Sequence, residues 1–162
     1  MINYIVEAIL IEKQHLISVF NADEATPNNV IISSAATPVK INFGYKGCTW
    51  YSEEKTASNG TFWEYAIVFG VIKTINDAKK WVLDNNGKEF VAFVRLRNGQ
   101  TYIVGSKNVG LELRYSLTMS KNRSLIVILS GAVENTPIFS SYSIRDFFVG
   151  RDFGDDFNID FG

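Results

Sequence analysis

Residues 89–131 read EFVAFVRLRNGQTYIVGSKNVGLELRYSLTMSKNRSLIVILSG, and this stretch decides the fold class of the chain. Four runs rich in β-branched and aromatic residues alternate here with turn residues, and Asn98-Gly99 separates the first two runs. An Asn-Gly pair in this position predicts a hairpin, because a tight two-residue turn needs positive φ angles that these residues adopt at little steric cost. The pattern therefore predicts an antiparallel meander of four consecutive strands.

Two of the predicted strands differ in how their faces are covered. Leu111, Leu113 and Tyr115 alternate with polar residues, which is typical of a sheet with one buried and one solvent-facing side. Residues 125–129 contain no polar side chain, so both faces of that strand are expected to be covered. The cover is either a second sheet or a neighbouring subunit.

Further strands are predicted on the N-terminal side of the meander. Residues 4–11 and 15–20 form β-like runs that we interpret as an N-terminal hairpin, and residues 39–43 form another short run. Residues 52–60, SEEKTASNG, are charged, small and closed by Asn-Gly, so they predict a loop. From Thr61 onward the alternation returns, and one long strand places Trp63, Tyr65, Ile67, Phe69 and Val71 on a single face.

One helix is predicted over residues 76–86. Asn76 is a suitable N-cap, Asp77 places a negative charge in the first turn, and Gly87 can end the helix in a left-handed conformation. Trp81 shares a side of this helix with Val82, so we expect it to pack the helix onto the sheet.

Length and composition favour one β-rich domain. The 162 residues are 46% hydrophobic and include 12 Phe and 7 Tyr, a composition that favours strands and supplies a core without disulfides or metal. The sequence predicts a mainly β fold: an antiparallel β-sandwich or barrel with one short flanking α-helix, within a single domain spanning residues 1–144.

The last 18 residues, RDFFVGRDFGDDFNIDFG, are different in kind. They place phenylalanines among Asp and Gly without sustained periodicity, so residues 145–162 are predicted to be an extended C-terminal arm. Such an arm orders when its phenylalanines enter pockets on another molecule, or else it remains flexible or docks on its own domain.

Charge is distributed unevenly along a chain whose net charge is only −1. Residues 88–131 carry seven basic side chains against two acidic ones, a balance of +5, whereas residues 145–162 carry five Asp against two Arg, a balance of −3. We therefore expect the arm of one subunit to dock on the basic meander of a neighbour. This hypothesis places the subunit interface at these side chains: Arg95, Arg97, Arg114, Arg123, Phe153, Phe157 and Phe161.

The chain offers few residues for catalysis or for binding a cofactor. His15 is the one histidine and Cys48 the one cysteine, and we interpret both as structural; a zinc site of the usual kind would need more such ligands. We predict a non-enzymatic protein with no cofactor, no metal and no catalytic residues. No signal peptide and no membrane helix are expected, and the net charge gives no general reason to bind nucleic acid.

The run from Phe90 to Phe139 resembles a pattern in small virion structural proteins of tailed bacteriophages of Bacteroidetes hosts. The residues that carry the resemblance are the Asn98-Gly99 turn, the return strand ending at Gly105, the strand opened by Leu111, and the strand ending at Gly131, with Pro137 and Phe139 following. The resemblance implies a tail, tail-tube or neck-ring protein, made in the bacterial host cytoplasm and located in the virion. Its partners would be further copies of itself in a homo-oligomeric ring, and other virion structural proteins.

A second interpretation remains open. The chain is alternatively a glycan- or surface-binding β-sandwich, in which Trp50, Tyr51 or Trp63 stacks against a sugar. An RNA-binding sheet that uses Arg95, Arg97, Arg114 and Arg123 as a stripe is less favoured, because interleaved aromatic residues are scarce there.

Overall fold

The computed structural model of the chain describes residues 2–19, 30–42, 47–72, 76–117, 123–133, 138–140 and 158–160. These residues form strands, one α-helix and one 3₁₀ turn. In chain order they are β1 (Ile2–Glu12), the 3₁₀ turn (Lys13–His15), β2 (Leu16–Val19), β3 (Val30–Ile32), β4 (Val39–Asn42), β5 (Cys48–Ala57), β6 (Gly60–Ile72), α1 (Asn76–Asn85), β7 (Glu89–Leu96), β8 (Thr101–Val104), β9 (Leu111–Leu117), β10 (Arg123–Val133), β11 (Ile138–Ser140) and β12 (Asn158–Asp160).

Six strands close an antiparallel barrel in the order β1-β5-β6-β10-β9-β7, and β7 pairs back onto β1. Strands β4 and β12 extend the sheet from β1, and strands β8 and β11 extend it from β7. The predicted fold class is confirmed, with the barrel as the form that the β-rich domain takes. The boundaries of the domain, 1–144, and of the arm, 145–162, stay predictions.

The predicted meander is wrong in its strand order. Strand β9 does not pair with β8 but with β7, through Glu89 opposite Glu112 and Phe90 opposite Leu111. Strand β8 covers only residues 92–95 of β7. Because β8 is four residues long, it leaves the first part of the same β7 edge uncovered, and β9 takes that part. Of the three pairings that a meander implies, β7–β8 and β9–β10 are therefore confirmed, and β8–β9 is wrong.

The predicted N-terminal hairpin is also wrong. Strand β1 does not pair with β2; it runs against β7 over residues 5–12, while its other edge pairs with β5 over residues 2–4 and with β4 over residues 7–10. Strand β2 instead pairs with β3 in a separate two-stranded sheet. The reason is burial: β1 is apolar on both faces, and in the barrel wall one face packs into the barrel interior while the other packs into a second core outside it.

Residues 52–60, predicted to be a loop, form most of a long hairpin. Strand β5 pairs with β6 from Cys48 opposite Phe69 to Ala57 opposite Gly60, so only Ser58 and Asn59 remain as the turn. The polar composition that suggested a loop reflects exposure of this hairpin end, where cross-strand ion pairs replace core contacts. A solvent-facing hairpin and a loop share the same residue types.

Two apolar cores lie on opposite faces of β1 and β7. The barrel interior contains Leu10, Phe90, Val94 and Leu113, together with the inward residues of β5, β6 and β10. A second core packs Phe93 and its neighbours against the β2–β3 sheet outside the barrel. Strands β1 and β7 are therefore both covered on their two faces.

Local signals were confirmed where the structure describes them. The helix α1 ends within one residue of its predicted end, and Trp81 contacts Phe90 with ring centroids 5.7 Å apart. Gly87 and Gly99 adopt φ angles of 86° and 89°, as the predicted helix end and hairpin turn require. The side chains of Asn76 and Asp77, predicted to stabilise the start of α1, lie outside the described residues.

Candidate assembly surface

An apolar patch lies on the outer surface of the barrel, across β5, β6 and β10. Strand alternation directs Tyr65, Ile67 and Val127 into the core, so the residues between them face outward. Cross-strand pairing places Val68 beside Ile128 and Ala66 beside Tyr51. We call this patch the outer apolar face; its residues are Tyr51, Ala66, Val68, Ile126 and Ile128.

The outer apolar face includes one side of residues 125–129, which were expected to be covered on both sides by a second sheet or a neighbouring subunit. Val127 and Leu129 are buried, but Ile128 keeps 37% of its surface exposed and Tyr51 keeps 41%. The side chain of Leu125 lies outside the described residues. Among the described residues no second sheet covers Ile128, and cover by a neighbouring subunit stays a prediction.

A small ionic cluster borders the outer apolar face on the β5–β6 side. The Tyr51 hydroxyl donates a hydrogen bond to Glu53 at 2.9 Å, and Lys55 Nζ lies 3.2 Å from Glu53 and 3.9 Å from Glu64. Hydrogen bonds from Tyr51 and Lys55 lower the pKa of the Glu53 carboxyl, and Glu53 raises the pKa values of both partners. The charged side chains of this border are 41–50% exposed, so salt screens their interactions.

A shallow depression of about 390 Å³ opens between this border and β10. It is lined by Tyr51, Glu64, Tyr65, Ala66, Ser130 and Gly131. The opposite border of the face carries Arg114, which pairs with Ile128 in the strand register and forms an ion pair with Glu112. Each border thus carries both signs of charge: Glu53 and Glu64 lie around Lys55 on the β5–β6 side, and Arg114 lies beside Glu112 on the β9 side.

The arginines predicted for the interface do not form one stripe. Arg114 is level with Gly87, because Gly87 and Lys88 bond to Leu113, whereas Arg95 lies eight residues further along β7. Eight residues of strand span about 26 Å. Arg97 is exposed in the turn after β7, and the side chain of Arg123 lies outside the described residues.

Arg95 is already engaged within the chain. Its Nε and Nη2 atoms donate hydrogen bonds to Glu7 Oε2 at 3.2 and 3.1 Å, and Lys40 Nζ lies 3.4 Å from Glu7 Oε1. Glu7 and Lys40 are each only 8% exposed. These three side chains join β4, β1 and β7 in a buried ion network. The sequence carried one signal of it, since Glu7 is the single charge inside the apolar run of β1.

The predicted anchors Phe153, Phe157 and Phe161 lie outside the described residues. The described part of the arm is β12, which pairs parallel with β4 through Asn158 opposite Lys40 and Asp160 opposite Asn42. The arm is therefore described at the β4 edge of the sheet, not on the strand that carries Arg114.

The aromatic residues considered for sugar stacking do not share a surface. Trp50 is 4% exposed and contacts Tyr65 and Tyr102 inside the barrel, so it is not available to a ligand at the surface. Trp63 stacks on Tyr65 with ring planes 7° apart, on the inner side of β6. Tyr51 alone of the three candidates faces outward.

The two residues considered for nucleophilic chemistry lie apart. Cys48 is fully buried in the barrel, and burial raises the pKa of its thiol. His15 lies in the 3₁₀ turn outside the barrel. Among the described residues, no group of three or more His, Cys, Asp or Glu side chains is placed to hold a metal ion. The described part of the chain also contains no helix long and apolar enough to cross a membrane.

No protein-family model, curated protein or solved structure matches the chain. The outer apolar face, its two charged borders and the β4 edge are consequently the features on which a function can be argued.

Proposed function

We propose that this chain is a non-enzymatic structural subunit of a tailed-phage virion, which forms an oligomeric ring or tube in the tail or neck. The observation that carries the assembly part of the proposal is the outer apolar face, where Ile128 and Tyr51 remain exposed on a closed barrel. The assignment to a virion rests on the sequence resemblance of residues 90–139.

Burial of this face favours association. Fully burying an isoleucine contributes about 1.5–3 kcal/mol, so covering the 37% of Ile128 that is still exposed contributes about 0.6–1.1 kcal/mol per copy. Tyr51 adds an aromatic ring with a polar end, a combination that is enriched at protein interfaces. The intermediate exposure of Ala66, Val68 and Ile126 extends the same surface.

The charges at the borders favour a further copy of the chain as the partner. Glu53 and Glu64 lie around the single Lys55 on one side of the face, and Arg114 lies beside Glu112 on the other. A rotated copy can therefore place its guanidinium near the carboxylates of its neighbour while the apolar residues meet. Repetition of one such contact around a closed rotation gives a ring.

The experiment replaces Ile128 with Glu and measures the native mass of the purified protein. An unpaired charge buried in an interface costs at least about 3 kcal/mol, so Ile128→Glu is expected to weaken association by about 100-fold. Val109→Glu is the matched control, because Val109 is a similarly exposed apolar residue, 39%, in the loop before β9.

The wild-type protein and Val109→Glu are expected to form rings in negative-stain images, and Ile128→Glu is expected to be monomeric with an unchanged circular dichroism spectrum. A monomeric wild-type chain at micromolar concentration would contradict the proposal. Rings that persist in Ile128→Glu would show that another surface makes the contact.

A further inference from the structure

The β4 edge of the sheet is covered by a very short strand that comes from far along the chain. Strand β12 contributes three residues, pairs parallel with β4, and has β4 as its only neighbour among the described strands. The described strand before it in the chain is β11, which lies at the opposite end of the same ten-stranded sheet. The two outermost strands are thus consecutive among the strands that the structure describes.

The distance that the chain must cover between β11 and β12 follows from the register of the strands that lie between them. Ser140 of β11 and Asp160 of β12 lie on one row of pairs that runs through Thr101, Arg95, Glu7 and Asn42. Five strand spacings separate the two edges, and Asn158 is displaced by two residues along the strand, so the ends are about 25 Å apart.

The connecting segment is much longer than this distance requires. Residues 141–157 number 17, and an extended chain of that length reaches about 56 Å. A segment that only returned β12 to its own β4 would need less than half of this reach. The length of this segment therefore does not confine β12 to the β4 edge of its own chain.

We propose that β12 is exchanged between copies, so that Asn158–Asp160 of one chain completes the β4 edge of its neighbour. This inference rests on the proposed function, because exchange requires a neighbouring copy of the chain. Exchange makes the same backbone hydrogen bonds between chains that β12 makes within one chain, so it carries no loss of pairing. Each exchanged strand then adds a second contact between two copies beside the apolar one. Once one contact has formed, the other forms at a high effective concentration, so the two copies associate more tightly than through either contact alone.

A disulfide between two different chains tests the exchange directly. Paired residues on neighbouring strands lie about 4.8 Å apart, within the range that a disulfide bridges, so Asn42→Cys and Asp160→Cys are placed on separate chains. The two variants are co-expressed with different tags, purified under reducing conditions and then oxidised. The native Cys48 is buried and does not compete.

The expected product is a covalent dimer of two 18.2 kDa chains that carries both tags on a non-reducing denaturing gel. Its yield should exceed by roughly tenfold or more the yield from a control pair, Ser58→Cys with Asp160→Cys, because Ser58 lies in the exposed β5–β6 turn. The double variant Asn42→Cys with Asp160→Cys on one chain reports pairing within a chain as a cross-linked monomer.

A cross-linked monomer from the double variant, with only control levels of two-tag dimer from the mixture, would overturn the exchange. Absence of a disulfide in both samples would overturn the pairing of β12 with β4 and the exchange with it. The native mass of the same samples separates the two proposals: an oligomer without two-tag disulfides refutes strand exchange alone, whereas a monomer refutes the proposed function as well.

Discussion

Replacing Glu7 with Gln should destabilise the protein by about 3 kcal/mol. Glu7 is 8% exposed and binds Arg95 and Lys40 at 3.1–3.4 Å. Removing one member of a buried ion pair costs about 3–5 kcal/mol, because the partner's charge stays buried without compensation. The Lys40 side chain is only 10% exposed, so its charge would remain buried without a partner. The Arg95 side chain is 40% exposed and can be hydrated in the variant, so we expect a loss at the lower end of this range.

The loss in the free energy of unfolding is measured by urea unfolding at pH 7, monitored through tryptophan fluorescence at a fixed protein concentration. Lys40→Met removes the charge that Glu7→Gln leaves unpaired, so the double variant should be more stable than Glu7→Gln alone. Glu54→Gln serves as the control, because Glu54 is exposed in β5, and it should change the free energy of unfolding by less than about 0.5 kcal/mol. A loss below about 0.5 kcal/mol in Glu7→Gln, or strictly additive effects in the Glu7–Lys40 cycle, would refute this account.

Three further predictions concern the barrel. A Cβ at Gly131 would lie 2.7 Å from the carbonyl oxygen of Gly110, so Gly131→Ala should lower the free energy of unfolding in urea by about 1–3 kcal/mol. The control Ser130→Ala, at the adjacent exposed residue, should lower it little, and equal effects of the two variants would contradict the close approach. Phe93 is fully buried in the second core, and Phe93→Ala should cost about 3–5 kcal/mol; a loss below about 1 kcal/mol would mean that the β2–β3 sheet does not pack there. Burial raises the pKa of the Cys48 thiol above its ordinary value of 9.0, so the folded chain keeps a proton that the unfolded chain releases, and stability should fall as the pH rises above about 9. Cys48→Ala should lessen that fall, and an identical pH profile in the variant would exclude the thiol as its source.

Local chemistry made the turns and the helix predictable. Gly99 and Gly87 stand where the backbone needs positive φ angles, and Trp81 lies on the apolar side of α1, so neighbouring residues alone specify these features. The alternation in β9 likewise identified Leu111 and Leu113 as core residues. None of these predictions required knowledge of distant parts of the chain.

The strand order was not predictable in this way, because it depends on which distant strands share an edge. Phe90 pairs with Glu12 on one side and with Leu111 on the other, and nothing in the local pattern of β7 or β9 indicates that β8 leaves room for the second contact. The same limit explains the residues of the candidate surface. The apolar neighbours of Ile128 predicted cover by a second sheet or a neighbouring subunit, whereas the exposure of Ile128 in the single chain follows from which strands close the barrel.

The way the barrel closes leaves part of the sheet outside it. A barrel normally removes sheet edges, because every strand has two partners. Here β1 gives only residues 2–4 of one edge to β5, and β7 gives only residues 89–90 to β9, so both strands pass the rest of those edges to β4 and β8. The sheet therefore continues outside the barrel on both sides, and its described part ends at β12 and β11. Each of these end strands is three residues long, and both come from residues 138–160. The last part of the chain thus pairs with both described ends of the sheet, which is why the exchange that we propose would link two copies without altering the barrel.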